Sequence, residues 1–118
     1  MSKRDDLMLV EDMLEAAEKI MRYVRNTHLD DFLTDEKTKD AVIRNFEIIG
    51  EAAARLGADF KESNKDIPWH QLKGYRNRLI HEYFGVDYEI VYDIIQNDLP
   101  SLNEQLQNLL KKGRNQRQ

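Results

Sequence analysis

The chain has 118 residues, a formal net charge of −4, 41% hydrophobic and 34% charged side chains, and no cysteine. That length suits a single domain around one core, and that balance suits a small helical protein with a large solvated surface rather than a disordered one. Disulfides and thiolate zinc sites are excluded, a reducing cytoplasm is the expected compartment, and neither a leader nor an apolar run of about 18 residues suggests secretion or a membrane span.

Helical period dominates the pattern. Leu7, Val10, Leu14, Ala17, Met21 and Val24 step by three or four and predict a first helix over 4–26. "NTHLDDFLT" interrupts it, and Thr34 followed by Asp35 and Glu36 predicts an N-cap with acidic first-turn residues. A second helix over 35–56 should bury Ala41 or Val42, Phe46, Ile49, Ala53 and Leu56, with Gly57 as its C-terminal stop. "ADFKESNKD" reads as a short turn of helix and a loop. Pro68 suits the first turn of a third helix carrying Trp69, Leu72, Tyr75, Leu79 and Ile80, which ends near Gly85. Asp87 can cap a fourth helix with Ile90, Val91, Ile94 and Ile95 inside. Pro100 breaks the chain near 97–100, before a last helix with Leu102, Leu106, Leu109 and Leu110. No stretch alternates as a strand does. The expected architecture is an all-α, up-and-down bundle over 1–112, with a flexible tail over 113–118.

Charge is unevenly spread. Residues 61–81 are net +3, from five basic and two acidic groups, whereas 82–110 are net −6 with no Lys or Arg. A local basic patch can steer a phosphate chain even on an acidic protein, because exposed charges beyond about 10 Å are screened. Overall charge therefore leaves the partner open.

The familiar chemical signatures are missing. His28, His70 and His81 form no HExxH pair, no acidic cluster has calcium-loop spacing, and there is no phosphate-binding glycine loop or nucleophile elbow. No metal or cofactor is expected. Gly50 and Gly57 suit close helix approach. Glu51 is either a surface carboxylate or a partner for an arginine of the third helix. What stands out is "YRNRLIHEYF" at 75–84, which crowds Arg76, Asn77, Arg78 and His81 between apolar residues. On one continuous helix Arg76 and Tyr83 would fall within about 20° of each other, while His81 would lie about 140° round from Arg76 and ~7.5 Å along. Such a group could cleave a phosphodiester without metal, with histidine moving a proton at a ribose 2′-hydroxyl and arginine holding the phosphorane charge. Two readings stand on residue types alone: this site, or solvated arginines beside a histidine at a helix C-terminus.

Arg76-Asn77-x-x-x-His81-x-Tyr83 fits an R-x-x-x-x-H-x-Y signature. With "AVIRNFEIIGEAAARL" (41–56), "IPWHQLKGYRNRLIHEYFGVD" (67–87) and "IVYDIIQNDLPSL" (90–102), the sequence resembles HEPN-domain toxins of the HepT type, partners of minimal nucleotidyltransferase antitoxins of the MntA type. The resemblance covers most of the chain in family order. It implies a homodimeric bundle of five to six helices whose two R-x-x-x-x-H segments face each other across a cleft. It also implies a metal-independent endoribonuclease, the toxin of a type VII-like toxin–antitoxin pair, with RNA as substrate. Arg76 and His81 would be the catalytic pair, Asn77 a supporting polar residue, and Tyr83 the hydroxyl that the antitoxin modifies with AMP from ATP. A dimer could bring Arg76 of one chain toward His81 of the other. The rival expectation is a non-catalytic HEPN dimer that binds or regulates a nucleotidyltransferase.

Overall fold

The computed structural model describes the backbone of residues 2–80 and 86–116, and the side chains of all of these except 3, 76–80 and 116. Seven helices and no strand occur among them: α1 (Lys3–Tyr23), α2 (Leu29–Thr34), α3 (Glu36–Arg55), α4 (Ala58–Ser63), α5 (Trp69–Ile80), α6 (Tyr88–Asn97) and α7 (Leu99–Gln116). The all-α expectation holds, with more helices than the five to six foreseen. The addition is α2. Its six residues are too few to show a period, and it forms because fully buried Phe32 anchors it.

The long helices pack in the order α5, α3, α1, α7, while α6 lies on α7 and α2. Two contacts fix α1 antiparallel to its neighbours. The buried Asp6 carboxylate near its start accepts the Gly57 N–H just past the end of α3, at 3.0 Å. Glu11 meets Arg114, in the last turns of α7, at 3.5 Å. The α1 stripe is shifted from the one expected: Leu7, Val10, Met13, Ala17, Ile20 and Val24 are buried, and Leu14 and Met21 lie at its edge. α1 faces both α3 and α7, so its apolar band is wider than a single row.

Helix ends correct three expectations. The N-cap of α3 is Asp35, not Thr34. Its carboxylate accepts the Thr38 N–H at 3.0 Å and the Thr38 hydroxyl at 2.6 Å, which together hold the Asp35 pKa below the usual carboxylate value, with Lys37 and Lys39 adding to the effect. Gly57 stands just past the end of α3 as expected, but not in the left-handed conformation of a stop glycine. It has φ −66° and serves as N-cap of α4, while Leu56 ends α3 in extended backbone. Asp87 does cap α6, accepting the N–H groups of Glu89 and Ile90 at 3.0 and 3.4 Å. Ile90, however, is 46% exposed, whereas Val91, Ile94 and Ile95 are buried as expected. Residues 113–116, assigned from sequence to the tail, continue α7, with Gly113 buried against Leu7.

Candidate functional site

The polar segment begins directly after a buried aromatic contact of α5. Tyr75 is buried and meets Phe46 of α3 edge-on, with ring centroids 5.2 Å apart and an interplanar angle of 79°. Gln71 Nε2 donates to the Tyr75 hydroxyl at 3.4 Å. At the start of the helix, Trp69 Nε1 donates to the Asn64 carbonyl at 3.1 Å and Leu72 is buried. Arg76 follows Tyr75 directly. Its backbone register is one turn beyond Leu72, about 40° round and ~6 Å along the axis. The Asn77 position falls about 100° further, in the row of exposed His70 and Lys73.

The structure places Arg76 and Asn77 on the backbone of α5, and their side chains are not among those described. His81 and Tyr83 lie outside the described residues, so no distance among the four positions follows. The 20° relation between Arg76 and Tyr83, which needs a helix continued to 83, falls outside with them.

The chain returns at Val86, half-buried against the core, and Asp87 starts α6. The first turn of α6 is pinned to α2 and α3. Tyr88 meets Phe32 at 6.3 Å, and Lys39 Nζ sits 4.6 Å from the Tyr88 ring centroid while donating to the Leu33 carbonyl at 2.9 Å. Burial raises the Tyr88 phenol above its ordinary value, and the nearby Asp40 charge adds to the rise. The segment from Arg76 to Asp87 is thus bracketed by two aromatic anchors, Tyr75 on α3 and Tyr88 on α2 and α3. Sequence reasoning overlooked the second anchor. Its signal was an aromatic residue directly after the cap Asp87.

Glu51 is half-buried on α3 and makes no ion pair among the described residues; Arg76 and Arg78, the alternative partners, have side chains outside that set. Among the described residues no three His, Asp or Glu side chains are grouped as a metal site would require, and no helix is long and apolar enough to cross a membrane.

The chain matches the family described as "Ribonuclease HepT-like" over residues 13–109. The chain belongs to the HepT-like ribonuclease family. Among curated relatives, "Probable ribonuclease HepT" of Thermococcus cleftensis is 42% identical over 92% of this chain and 99% of that protein. "Putative RNase MJ1380" of Methanocaldococcus jannaschii is 36% identical over 91% of this chain and 98% of that protein. A third, "Gamma-glutamylcyclotransferase and putative RNase MJ0434" from the same organism, is 36% identical over 93% of this chain but only 50% of that longer protein. No solved structure matches. In this HepT-like chain the family match runs from α1 to α7 and takes in both anchors, Arg76, Asn77, His81 and Tyr83.

Proposed function

We propose that this HepT-like chain is a metal-independent endoribonuclease, acts as a homodimer, and is the toxin of a toxin–antitoxin pair. The observation that carries the proposal is the family match across residues 13–109, which encloses the R-x-x-x-x-H-x-Y segment at the end of α5. The Tyr75–Phe46 contact supports it, because it seats α5 on α3 at the residue directly before Arg76, and a catalytic side chain needs a fixed base.

In this reading His81 takes the proton from a ribose 2′-hydroxyl. The 2′-oxygen bonds to phosphorus, the bond from phosphorus to the 5′-oxygen breaks, and a proton is returned to the leaving oxygen. The products are a 2′,3′-cyclic phosphate and a 5′-hydroxyl. Arg76 holds the charge on the phosphorane, where a planar guanidinium is worth most, and Asn77 supports it by hydrogen bonding. In this reading a second copy of the chain would also cover apolar Ile90 of α6, which is exposed in the single chain. A stable pair would bury about 1,200 Å² or more. Tyr83 is the control point: a nucleotidyltransferase antitoxin of the MntA type adds AMP to its hydroxyl, and the added phosphate and purine compete with RNA for the site.

The test is RNA degradation by the purified protein in EDTA. His81→Ala and Arg76→Ala should each lose most activity, on the order of 10²–10⁴-fold for a proton-transfer group. Folded wild type that leaves RNA intact would favour the non-catalytic HEPN dimer. Cleavage that requires Mg²⁺, or that survives both substitutions, would refute the assignment. Tyr83→Phe should still cut RNA yet gain no AMP-sized mass with antitoxin and ATP.

A further inference from the structure

Away from the α5 segment, a groove of about 390 Å³ opens between the turn that follows α1 and the α6–α7 elbow. Its volume lies in the range of small-ligand sites. Buried Val24 and Ile95 give it an apolar floor, half-buried Met21 and Tyr92 line it, and Arg25, His28 and Gln96 are exposed at the rim. No carboxylate of the described residues lines it. Two other grooves of similar size differ in this respect, one lined by Glu11, Glu15 and Glu18 and the other by Asp66.

The rim is also pre-set. Asn26 takes φ 60°, a left-handed conformation that asparagine tolerates, and so turns the chain sharply after α1. The Tyr92 hydroxyl donates to the Thr27 carbonyl at 2.6 Å, tying that turn to α6 across 65 residues of sequence. Phe32 holds the Tyr92 ring, with centroids 5.6 Å apart. His28 is the backbone N-cap of α2, but its ring makes no capping hydrogen bond. Arg25 makes no ion pair among the described residues, whereas Lys19, Arg44, Lys65 and Arg114 each meet a glutamate.

We infer that this groove is a second RNA-contact site, holding one nucleotide of a single-stranded segment outside the cleaved bond. Arg25 and His28 would take the phosphate, and the Tyr92 ring with the apolar Val24–Ile95 floor would take the base. A guanidinium offers a fork of donors to phosphate, an aromatic ring stacks on any base, and a fixed wall loses little freedom on binding. The inference rests on the ribonuclease reading, with the site as a deeper feature of substrate recognition.

Binding would be measured by anisotropy of a fluorescein-labelled, mixed-sequence single-stranded RNA over a salt series, in a His81→Ala background that leaves the probe uncut. Arg25→Ala should weaken binding about fivefold or more, and should reduce the slope of log K against log salt by about 0.7, the signature of one lost phosphate contact on a single strand. Arg25→Lys should restore most of that slope. Gln96→Glu, a swap that is neutral for the helix, should weaken binding by bringing a carboxylate to the rim. Both positions are exposed, so circular dichroism should be unchanged. If RNA binds and all these variants match the background protein in affinity and slope, the groove is not an RNA site. If Arg25→Ala abolishes binding of free AMP but leaves RNA binding intact, the groove holds a nucleotide ligand and the inference is overturned. If wild type neither binds nor cuts RNA, the ribonuclease reading itself fails.

Discussion

Gly113→Ala sets two known effects against each other at one atom. Gly113 lies in the last turns of α7 without positive φ, so its backbone suits alanine, and the helix preference alone would stabilise the protein by about 1 kcal/mol. The new Cβ, however, would stand 2.6 Å from Leu7 Cδ2 and 3.1 Å from Leu7 Cδ1. Ordinary carbon contacts lie near 3.5–4.0 Å, so about 1 Å must be found. Leu7 is 1% exposed and cannot swing into solvent to supply it. Overpacking of this kind costs about 1–3 kcal/mol. The net expectation is a loss of about 1 kcal/mol. With an unfolding entropy of roughly 2.1 cal/mol/K per residue, that is a fall of about 4 °C in Tm for a chain of this length. Gly74→Ala is the reference, because a Cβ there meets nothing within 4 Å on α5 and should raise stability by about 1 kcal/mol. Calorimetry of both variants should therefore give shifts of opposite sign. Adding Leu7→Ala, which removes the obstructing methyls, should turn Gly113→Ala from destabilising to stabilising. Were Gly113→Ala to raise Tm as much as Gly74→Ala does, Leu7 would not be the wall described.

Phe46→Leu should cost about 1–3 kcal/mol by urea unfolding, from lost volume and the lost edge contact to Tyr75, and should lower RNA cleavage by loosening the seat of α5; full activity would show that the contact does not position the site. Asp87→Ala should cost about 1 kcal/mol by removing the acceptor for the Glu89 and Ile90 N–H groups, whereas Asp87→Asn should recover most of it. For Asp35 the folded pKa is depressed, so its contribution is present above the unfolded value near 4 and is lost as pH falls through the folded value. The Tm difference between wild type and Asp35→Asn should accordingly shrink as pH drops below about 4; a difference that grows on acidification would reverse the assignment.

The sequence by itself determined the helical class, most of the buried positions of the long helices, and the cap at Asp87. These follow from local physics: a period of 3.6 residues, an acceptor side chain ahead of an apolar run, and a proline that cannot continue a helix. It also carried the family, because Arg76, Asn77, His81 and Tyr83 stand at fixed spacing within flanks that fit. Tertiary structure decided the rest. Thr34 and Asp35 are both acceptable caps, and the choice fell to Asp35 once Phe32 drew the preceding residues into α2. Gly57 does mark the end of α3, but only the fold shows that it also caps α4 and that the buried Asp6 carboxylate, 51 positions away, takes its N–H. Ile90 fits the apolar pattern of α6 and yet faces outward, since a pattern reports which residues are apolar and not which of them a neighbour covers. The groove at Arg25 and His28 could not be read from spacing, because Tyr92 and Pro100, which complete it, come from the far end of the chain and are brought there only by the packing of α6 and α7 against α1 and α2.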